Sequence, residues 1–270
     1  DCRMQLAGHV ARSVDARVRG PALGVDDNAV VDFQARGYSQ FDVRFDADSG
    51  QHHVGGDALA AALPSLAQGG FLRIRSEAFD VRQTSDGPVL ATLDRGALPA
   101  FGVMSQGVHM NGLVRRTDGL HVWVGIRSRH KAVAPGQLDN LVAGGIPAGL
   151  TPAETLVKEA GEEASLPPEL AAAARFVGRV SYILRNNEGL RRDVLHCYDL
   201  EIPEGVAPRP NDDEVERFEL WPAHRLLEAV ADSDDIKFNV NLTLIDLFLR
   251  EGLLSDPDGS LRAGLDQGPA

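Results

Sequence analysis

Three glutamates, Glu159, Glu162 and Glu163, lie in a short helical pattern that could hold a divalent metal ion. At about 100° of rotation per helical residue, their carboxylates fall within an arc of roughly 100°. Carboxylates held this close raise one another's pKa values unless a cation lies between them. Mg²⁺ and Mn²⁺ prefer oxygen ligands, so we expect this cluster to bind Mg²⁺ or Mn²⁺. A solvated acidic helix face is the ordinary alternative.

The residues before the glutamates indicate how this helix begins. Thr151 and Pro152 are typical of an N-cap followed by proline at the first helical position. Gly144, Gly145 and Gly149 form a glycine-rich loop that leads into the helix. Because backbone without side chains admits a close approach, we expect Gly144 and Gly145 to bind the phosphate groups of a substrate. The loop and the helix together predict a site for phosphates and a metal ion.

The segment 144–166 resembles the signature box of Nudix hydrolases, in which a glycine pair and a loop precede the pattern Arg-Glu-apolar-x-Glu-Glu-x-Gly. Glu159, Glu162 and Glu163 match the metal-binding glutamates of the family. The resemblance implies an α+β fold of the Nudix type, an α/β/α sandwich with a mixed sheet. It also implies a MutT-like hydrolase that cleaves the diphosphate linkage of a small organic molecule with metal-activated water.

Three positions depart from this signature. Leu150, Lys158 and Ser165 stand where the family usually has glutamate, arginine and glycine. Lys158 keeps the positive charge but lacks the planar fork with which arginine would orient a glutamate. The departures keep open a second interpretation, a Nudix fold that binds a diphosphate or a nucleotide as a sensor without cleaving it.

The flanking segments 107–112, 131–150 and 209–216 resemble one Nudix subgroup, the domain associated with thiamine pyrophosphokinase. This resemblance implies that the substrates are damaged thiamine diphosphate analogues, its oxo or oxy forms, cleaved to the monophosphate and phosphate. Isopentenyl-diphosphate isomerases share the fold and a similar run of Lys, Pro-Gly, Asp and Gly-Gly. That activity needs a cysteine in the site, and Cys197 lies in no matching motif.

Candidate residues outside the signature would supply a base and positive charge. Glu214 follows an Asn-Asp-Asp loop, in a region where a glutamate assists catalysis in many Nudix enzymes. We expect Glu214 to be the general base or a further metal ligand. Arg127 and Lys131 are expected to hold the diphosphate, with a surface basic cluster as the alternative, and Asp139 to cap a turn or contact substrate. The predicted catalytic residues are Glu162, Glu163 and Glu214.

Length and composition exclude several classes of protein. A chain of 270 residues, 43% of them hydrophobic, can bury the core of one large or two small domains. The net charge of −12 argues against a nucleic-acid partner. The family resemblance implies that the partner is a small-molecule diphosphate. No apolar stretch reaches the ~18 residues of a membrane span. Two cysteines favour a reduced, cytoplasmic setting, and the oligomeric state stays open, with a homodimer among the options.

Composition and turn signals divide the chain into three regions. We predict a small N-terminal α+β region over 1–75, a Nudix hydrolase domain over 76–255 and a C-terminal tail over 256–270. Alternating segments around polar turns, followed by helical patterns, favour a mixed sheet between helices. The predicted elements are a helix at 57–68, hairpins at 79–94, 109–128 and 176–201, a strand at 218–222, and helices at 223–231 and 240–251.

Overall fold

The computed structural model describes residues 44–46, 51–53, 56–131 and 133–266. Within these ranges, a mixed sheet of seven strands carries helices on both faces, which confirms the predicted α+β sandwich. Most of the predicted N-terminal region lies outside the described residues. None of the helices in the described ranges is long and apolar enough to span a membrane.

The elements are numbered in chain order over the described residues. The strands are β1 (Arg44–Asp46), β2 (Gln51–His53), β3 (Ala78–Val81), β4 (Ala91–Asp94), β5 (Met104–Arg116), β6 (Gly119–Arg127), β7 (Leu138–Asp139), β8 (Val142–Gly145), β9 (Arg175–Asn186), β10 (Gly189–Glu201) and β11 (Val215–Pro222). The helices are α1 (Gly56–Gln68), α2 (Leu98–Phe101), α3 (Pro152–Ala164), α4 (Pro168–Ala171), α5 (Ala223–Asp232), α6 (Phe238–Arg250) and α7 (Ser260–Gly264), with a 3₁₀ turn at Arg95–Ala97.

Strand β5 organises the sheet because it shares one of its edges between two partners. Strand β10 runs parallel along the other edge. On the shared edge, residues 107–110 pair with β8 and residues 112–116 pair with β6, both antiparallel. The strand order is β11-β6-β5-β10-β9, with β7 added to β6. The parallel β5–β10 pair among antiparallel neighbours makes the sheet mixed, as predicted.

Alternate residues of β5 face two separate apolar cores, since side chains of a strand point to opposite faces in turn. Val108 and Met110 pack under α3 and α4. Leu113 points to the other face, where α5, α6 and α7 pack. The sheet therefore lies between two helical layers. Leu156 and Ala160 hold α3 on the face of the sheet that carries Val108 and Met110.

Helix α3 begins and ends as its sequence indicates. The Thr151 Oγ1 accepts the Glu154 backbone N–H at 3.2 Å, and the Glu154 carboxylate accepts the Thr151 N–H at 2.9 Å, so a capping box starts the helix. Ser165 ends it with a φ of 53°, in the left-handed region. The signature has glycine at this position, and a residue with a side chain costs about 1 kcal/mol there.

The segment predicted as a C-terminal tail is packed onto the domain as far as residue 266. Leu261 and Leu265 of this segment are buried in the core under α6. The Ser181 N–H of β9 donates to the Leu265 carbonyl at 2.8 Å, which ties the segment to the sheet edge. Residues 256–266 are therefore packed against the sheet and α6, because these leucines complete an apolar layer. The predicted region boundaries stay predictions.

Removing the buried end of this segment should destabilise the whole domain. We expect Leu265→Ala to lower the free energy of unfolding by about 2–5 kcal/mol, because it leaves a cavity in a fully buried position. The same substitution at Leu253, which is 42% exposed, should cost less than about 1 kcal/mol. Urea denaturation measures both. Equal effects of the two variants would show that the segment is not part of the core.

Candidate active site

Two carboxylates of α3 lie between this helix and strand β8. The Glu163 Oε2 accepts the Ala143 backbone N–H at 3.0 Å, and the Glu163 side chain is buried. Glu159, one turn earlier, lies against Gly144, where a Cβ atom would come within 2.6 Å of the Glu159 Cδ. The helix can approach the strand this closely only because Gly144 has no side chain.

The surroundings of Glu159 and Glu163 disfavour the charged form of both carboxyl groups. Burial raises the pKa of Glu163 well above its ordinary value, and the negative charges of Asp139, Glu159 and Glu214 raise it further against the lowering effect of the Ala143 N–H. Burial also raises the pKa of Glu159, although Lys158 partly opposes the shift. A site that disfavours its own carboxylate charges is one that a cation would stabilise.

Lys158 supplies positive charge at the outer side of this site. Its Nζ lies 3.2 Å from the Glu159 Oε1 and 2.5 Å from the Glu162 Oε2. The Glu162 side chain is 54% exposed, whereas that of Glu159 is 17% exposed and that of Glu163 is buried. The predicted group of three carboxylates is therefore divided, and the predicted roles of Glu162 in metal binding and catalysis require its contact with Lys158 to open.

Glu214 is brought to α3 by the loop that precedes β11. The Arg209 N–H donates to the Ala164 carbonyl at 3.0 Å, and the Asn211 side chain donates to the Gly161 carbonyl at 3.2 Å. These contacts satisfy carbonyls of the last helical turn. The Lys131 Nζ lies 2.6 Å from the Glu214 Oε1, so the structure brings two predicted site residues together.

The donor set fits a divalent cation, although it is not arranged around one. Within the described part of the chain, no three acidic, histidine or cysteine side chains stand in ready coordinating positions. The negative charges of Glu159 and Glu214 nevertheless raise the pKa of Glu163. Carboxylate oxygens are the ligands that Mg²⁺ and Mn²⁺ prefer. These three residues would hold the ion.

A comparison with protein-family models identifies the pattern to which this helix and loop belong. The model of the NUDIX domain matches residues 107–241, half of the chain. The chain belongs to the Nudix family. Helix α3 is thus its Nudix helix, and the observed sandwich is a Nudix-type fold.

Named relatives extend the similarity beyond that segment. Nudix hydrolase 20, chloroplastic, of Arabidopsis thaliana is 40% identical over 198 residues, 73% of this chain and 53% of the relative. Nudix hydrolase 24, chloroplastic, of the same plant is 38% identical over 73% of this chain and 54% of the relative. The chain thus spans about half the length of these relatives. A crystal structure of DR0079 from Deinococcus radiodurans covers 64% of this chain and 98% of its own, with 22% identity and a TM-score of 0.47.

The two glycines of the Nudix loop make room for protein atoms. The space beside Gly144 holds the Glu159 carboxyl group, and a Cβ atom at Gly145 would come within 2.5 Å of the Phe79 ring. We expected both glycines to admit phosphate groups. Side chains of α3 and β3 fill the space that a Cβ atom would take at these two positions, and phosphate binding by their backbone stays a prediction.

Arg127 and Asp139 form a buried ion pair in place of the predicted substrate contacts. The Arg127 Nη1 lies 2.5 Å from the Asp139 Oδ2, and its other guanidinium nitrogens donate to the carbonyls of Val133 and Ala134. The Lys237 Nζ lies 3.0 Å from the same carboxylate oxygen. Holding a diphosphate would require these contacts to break, and the predicted substrate contacts of Arg127 and Asp139 stay predictions.

Lys237 is a residue that the sequence did not single out. It lies 98 residues from Asp139 in the chain, immediately before α6. No spacing rule connects a helix start to a carboxylate so far away.

Adding a methyl group at Gly144 should displace Glu159 and weaken metal binding. We expect Gly144→Ala to lower the affinity for Mn²⁺ by about 10-fold or more, since the new Cβ overlaps the Glu159 carboxyl group. Gly161 lies on the same helix as Glu159, and the new methyl group of Gly161→Ala meets no atom within 4 Å. This variant should leave the affinity for Mn²⁺ unchanged. Electron paramagnetic resonance of bound Mn²⁺ measures both. Equal affinities would place the metal away from Glu159.

Breaking the buried ion pair should cost stability. Arg127→Met leaves Asp139 with Lys237 as its remaining cation, and we expect the free energy of unfolding to fall by about 3 kcal/mol. Arg129→Met, in a side chain that is 83% exposed, should have little effect. Chemical denaturation compares them. If both variants are as stable as the parent, the pair contributes nothing and Arg127 is free for another role.

Proposed function

We propose that this chain is a diphosphatase that depends on Mg²⁺ or Mn²⁺ and hydrolyses the diphosphate linkage of a small organic molecule. The observation that carries the proposal is the pair of carboxylates on the Nudix helix, half-buried Glu159 and buried Glu163, whose pKa values are both raised by burial. The names of the Arabidopsis relatives as Nudix hydrolases support it.

The chain's own residues divide the work of hydrolysis. Glu159, Glu163 and Glu214 would hold the metal ion, which when bound supplies a Lewis acid and a water of lowered pKa. Glu214 also accepts the proton of the attacking water, since its carboxylate is partly exposed and is freed when Lys131 turns to the diphosphate. Water oxygen then bonds to phosphorus as the bridging oxygen leaves. Lys131 and Lys158 can turn to the diphosphate oxygens, because their pairs are partly exposed and therefore weak.

The finer hypothesis concerns the substrate. The segments 107–112, 131–150 and 209–216 support damaged thiamine diphosphate analogues, which would be cleaved to the monophosphate and phosphate. The described contacts explain part of this pattern, since residues 209–214 dock on α3 and residues 107–110 pair with the Nudix loop strand. The cytoplasmic location and the homodimer option stay predictions.

One observation favours a second candidate, a sensor that binds diphosphates without cleaving them. Lys158 forms ion pairs with Glu159 and Glu162 and stands where the signature has arginine. The alternative of an isopentenyl-diphosphate isomerase is not supported by the position of Cys197. Cys197 is buried against α6, on the face of the sheet opposite α3, and burial raises the pKa of its thiol well above the usual range.

Metal-dependent turnover decides between the hydrolase and the sensor. We expect cleavage of the diphosphate in at least one compound of a panel of thiamine diphosphate, its oxo and oxy analogues, ADP-ribose, NADH and nucleoside diphosphates, in the presence of Mg²⁺, with the monophosphate products measured by chromatography. Glu163→Gln should lower that rate on the order of 100-fold or more, because it removes a charge that would hold the metal.

Glu169→Gln is the matched control for this experiment. Glu169 lies exposed on α4, near the end of the Nudix helix, and its substitution should leave the rate unchanged. Cleavage of another compound with no cleavage of the thiamine compounds would overturn the substrate hypothesis alone. A Glu163→Gln variant of full activity would overturn the metal site, and binding without turnover would support the sensor.

A further inference from the structure

A cavity of about 440 Å³ opens on the α3 face of the sheet. It lies between the start of α3, the β3–β4 hairpin and strands β5, β9 and β10. Helix α3 connects it to the glutamates, since Pro152 lines the cavity and Glu159 follows roughly 10 Å along the helix axis at 1.5 Å per residue. The lining residues that matter below are Phe79, Gln106, Phe176, Arg179, His196 and Tyr198.

One wall of this cavity is an aromatic surface that is not covered by protein. Phe176 is 49% exposed although it lies on a strand of the central sheet. Its ring contacts Tyr198 edge-on, with centroids 5.5 Å apart, and lies 6.2 Å from the His196 ring. Neighbouring rings thus hold the Phe176 ring in place and leave much of it free. An exposed ring supported in this way can stack on a planar ligand.

Beside that wall, a hydrogen-bonded chain fixes the state of His196. The Gln106 Nε2 donates to the Ser85 carbonyl at 3.1 Å, so the Gln106 Oε1 is the end that faces the His196 Nε2 at 2.7 Å. The oxygen can only accept, which places the proton on Nε2 and leaves Nδ1 as an acceptor. Burial and, to a smaller extent, the charge of Arg179 lower the pKa of His196 to about 4, so the ring is neutral near pH 7.

The remaining charges around the cavity are paired. Asp86, on the loop after β3, accepts two hydrogen bonds from the Arg179 guanidinium, at 2.7 and 2.5 Å. Asp80 likewise pairs with Arg82 at 2.9 Å. The cavity is therefore close to neutral, in contrast to the acidic site at the other end of α3. An uncharged or weakly charged group suits it better than a phosphate.

We propose that this cavity receives a planar, nitrogen-containing aromatic ring of the substrate, stacked on Phe176 and hydrogen-bonded to His196. The assignment rests on the proposed function for the diphosphate end of that substrate and names the chemistry of the other end. The volume lies in the range of small-molecule sites. An aliphatic diphosphate would have neither the stacking contact nor a ring donor for His196.

Binding of ring compounds that lack phosphate tests this proposal separately from hydrolysis. Isothermal titration of the full chain with thiamine and with adenosine should show binding of at least one. Phe176→Ala should weaken that binding on the order of 10-fold, and Phe176→Trp should restore it. Ile183→Ala, at an exposed position of the same strand outside the cavity, is the control and should change nothing. The affinity for isopentenyl diphosphate with Mg²⁺ should be the same in Phe176→Ala and the parent.

Each failure has its own meaning. If neither ring compound binds, or if Phe176→Ala weakens the ring compound and isopentenyl diphosphate equally, the ring site is wrong. If a diphosphate is hydrolysed and its KM is unaffected by Phe176→Ala, the ring site is also wrong while the proposed hydrolase stands. If the rings bind through Phe176 and no diphosphate is cleaved with Mg²⁺, the hydrolase is wrong and the cavity assignment stands.

Discussion

The close approach of helix α3 to strand β8 is the constraint on which the site depends. At Gly144 the strand leaves the space of a side chain to the Glu159 carboxyl group, and one turn later Glu163 reaches the Ala143 amide. At Gly145 the same absence admits the Phe79 ring, which forms part of the cavity wall. Two adjacent glycines therefore position both the acidic end and the aromatic end of the proposed substrate site.

The ion pairs in this region are of two kinds: partly exposed pairs that separate easily and a buried group whose separation is strongly unfavourable. Lys158 and Lys131 contact Glu162 and Glu214 at partly exposed positions, where solvent screening makes an ion pair weak. Asp139 is buried with Arg127 and Lys237, and separating buried charges leaves one of them without compensation. The exposed lysines can thus exchange partners when a diphosphate arrives, while the buried group keeps strand β7 and the start of α6 in place.

Local patterns predicted the elements well, and the errors lie where an element depends on distant partners. The hairpin turns and the N-cap at Thr151 were correct, because they involve residues a few positions apart. Strand β5 begins at Met104 rather than 109, since its first residues pair with β10 and no nearby turn signals them. The packing of residues 256–266 was not predicted, because two leucines in a polar segment give no periodic signal for burial.

The sequence by itself determined the type of chemistry: a capped helix with three glutamates, a glycine loop before it and the family to which they belong. Only the tertiary structure decided which groups meet. It left Glu162 exposed in contact with Lys158, brought Glu214 and Lys131 together, and paired Arg127 with Asp139. The physical reason is that helix phase and capping depend on residues within one or two turns, whereas burial and ion pairing depend on which strands and loops the sheet brings together.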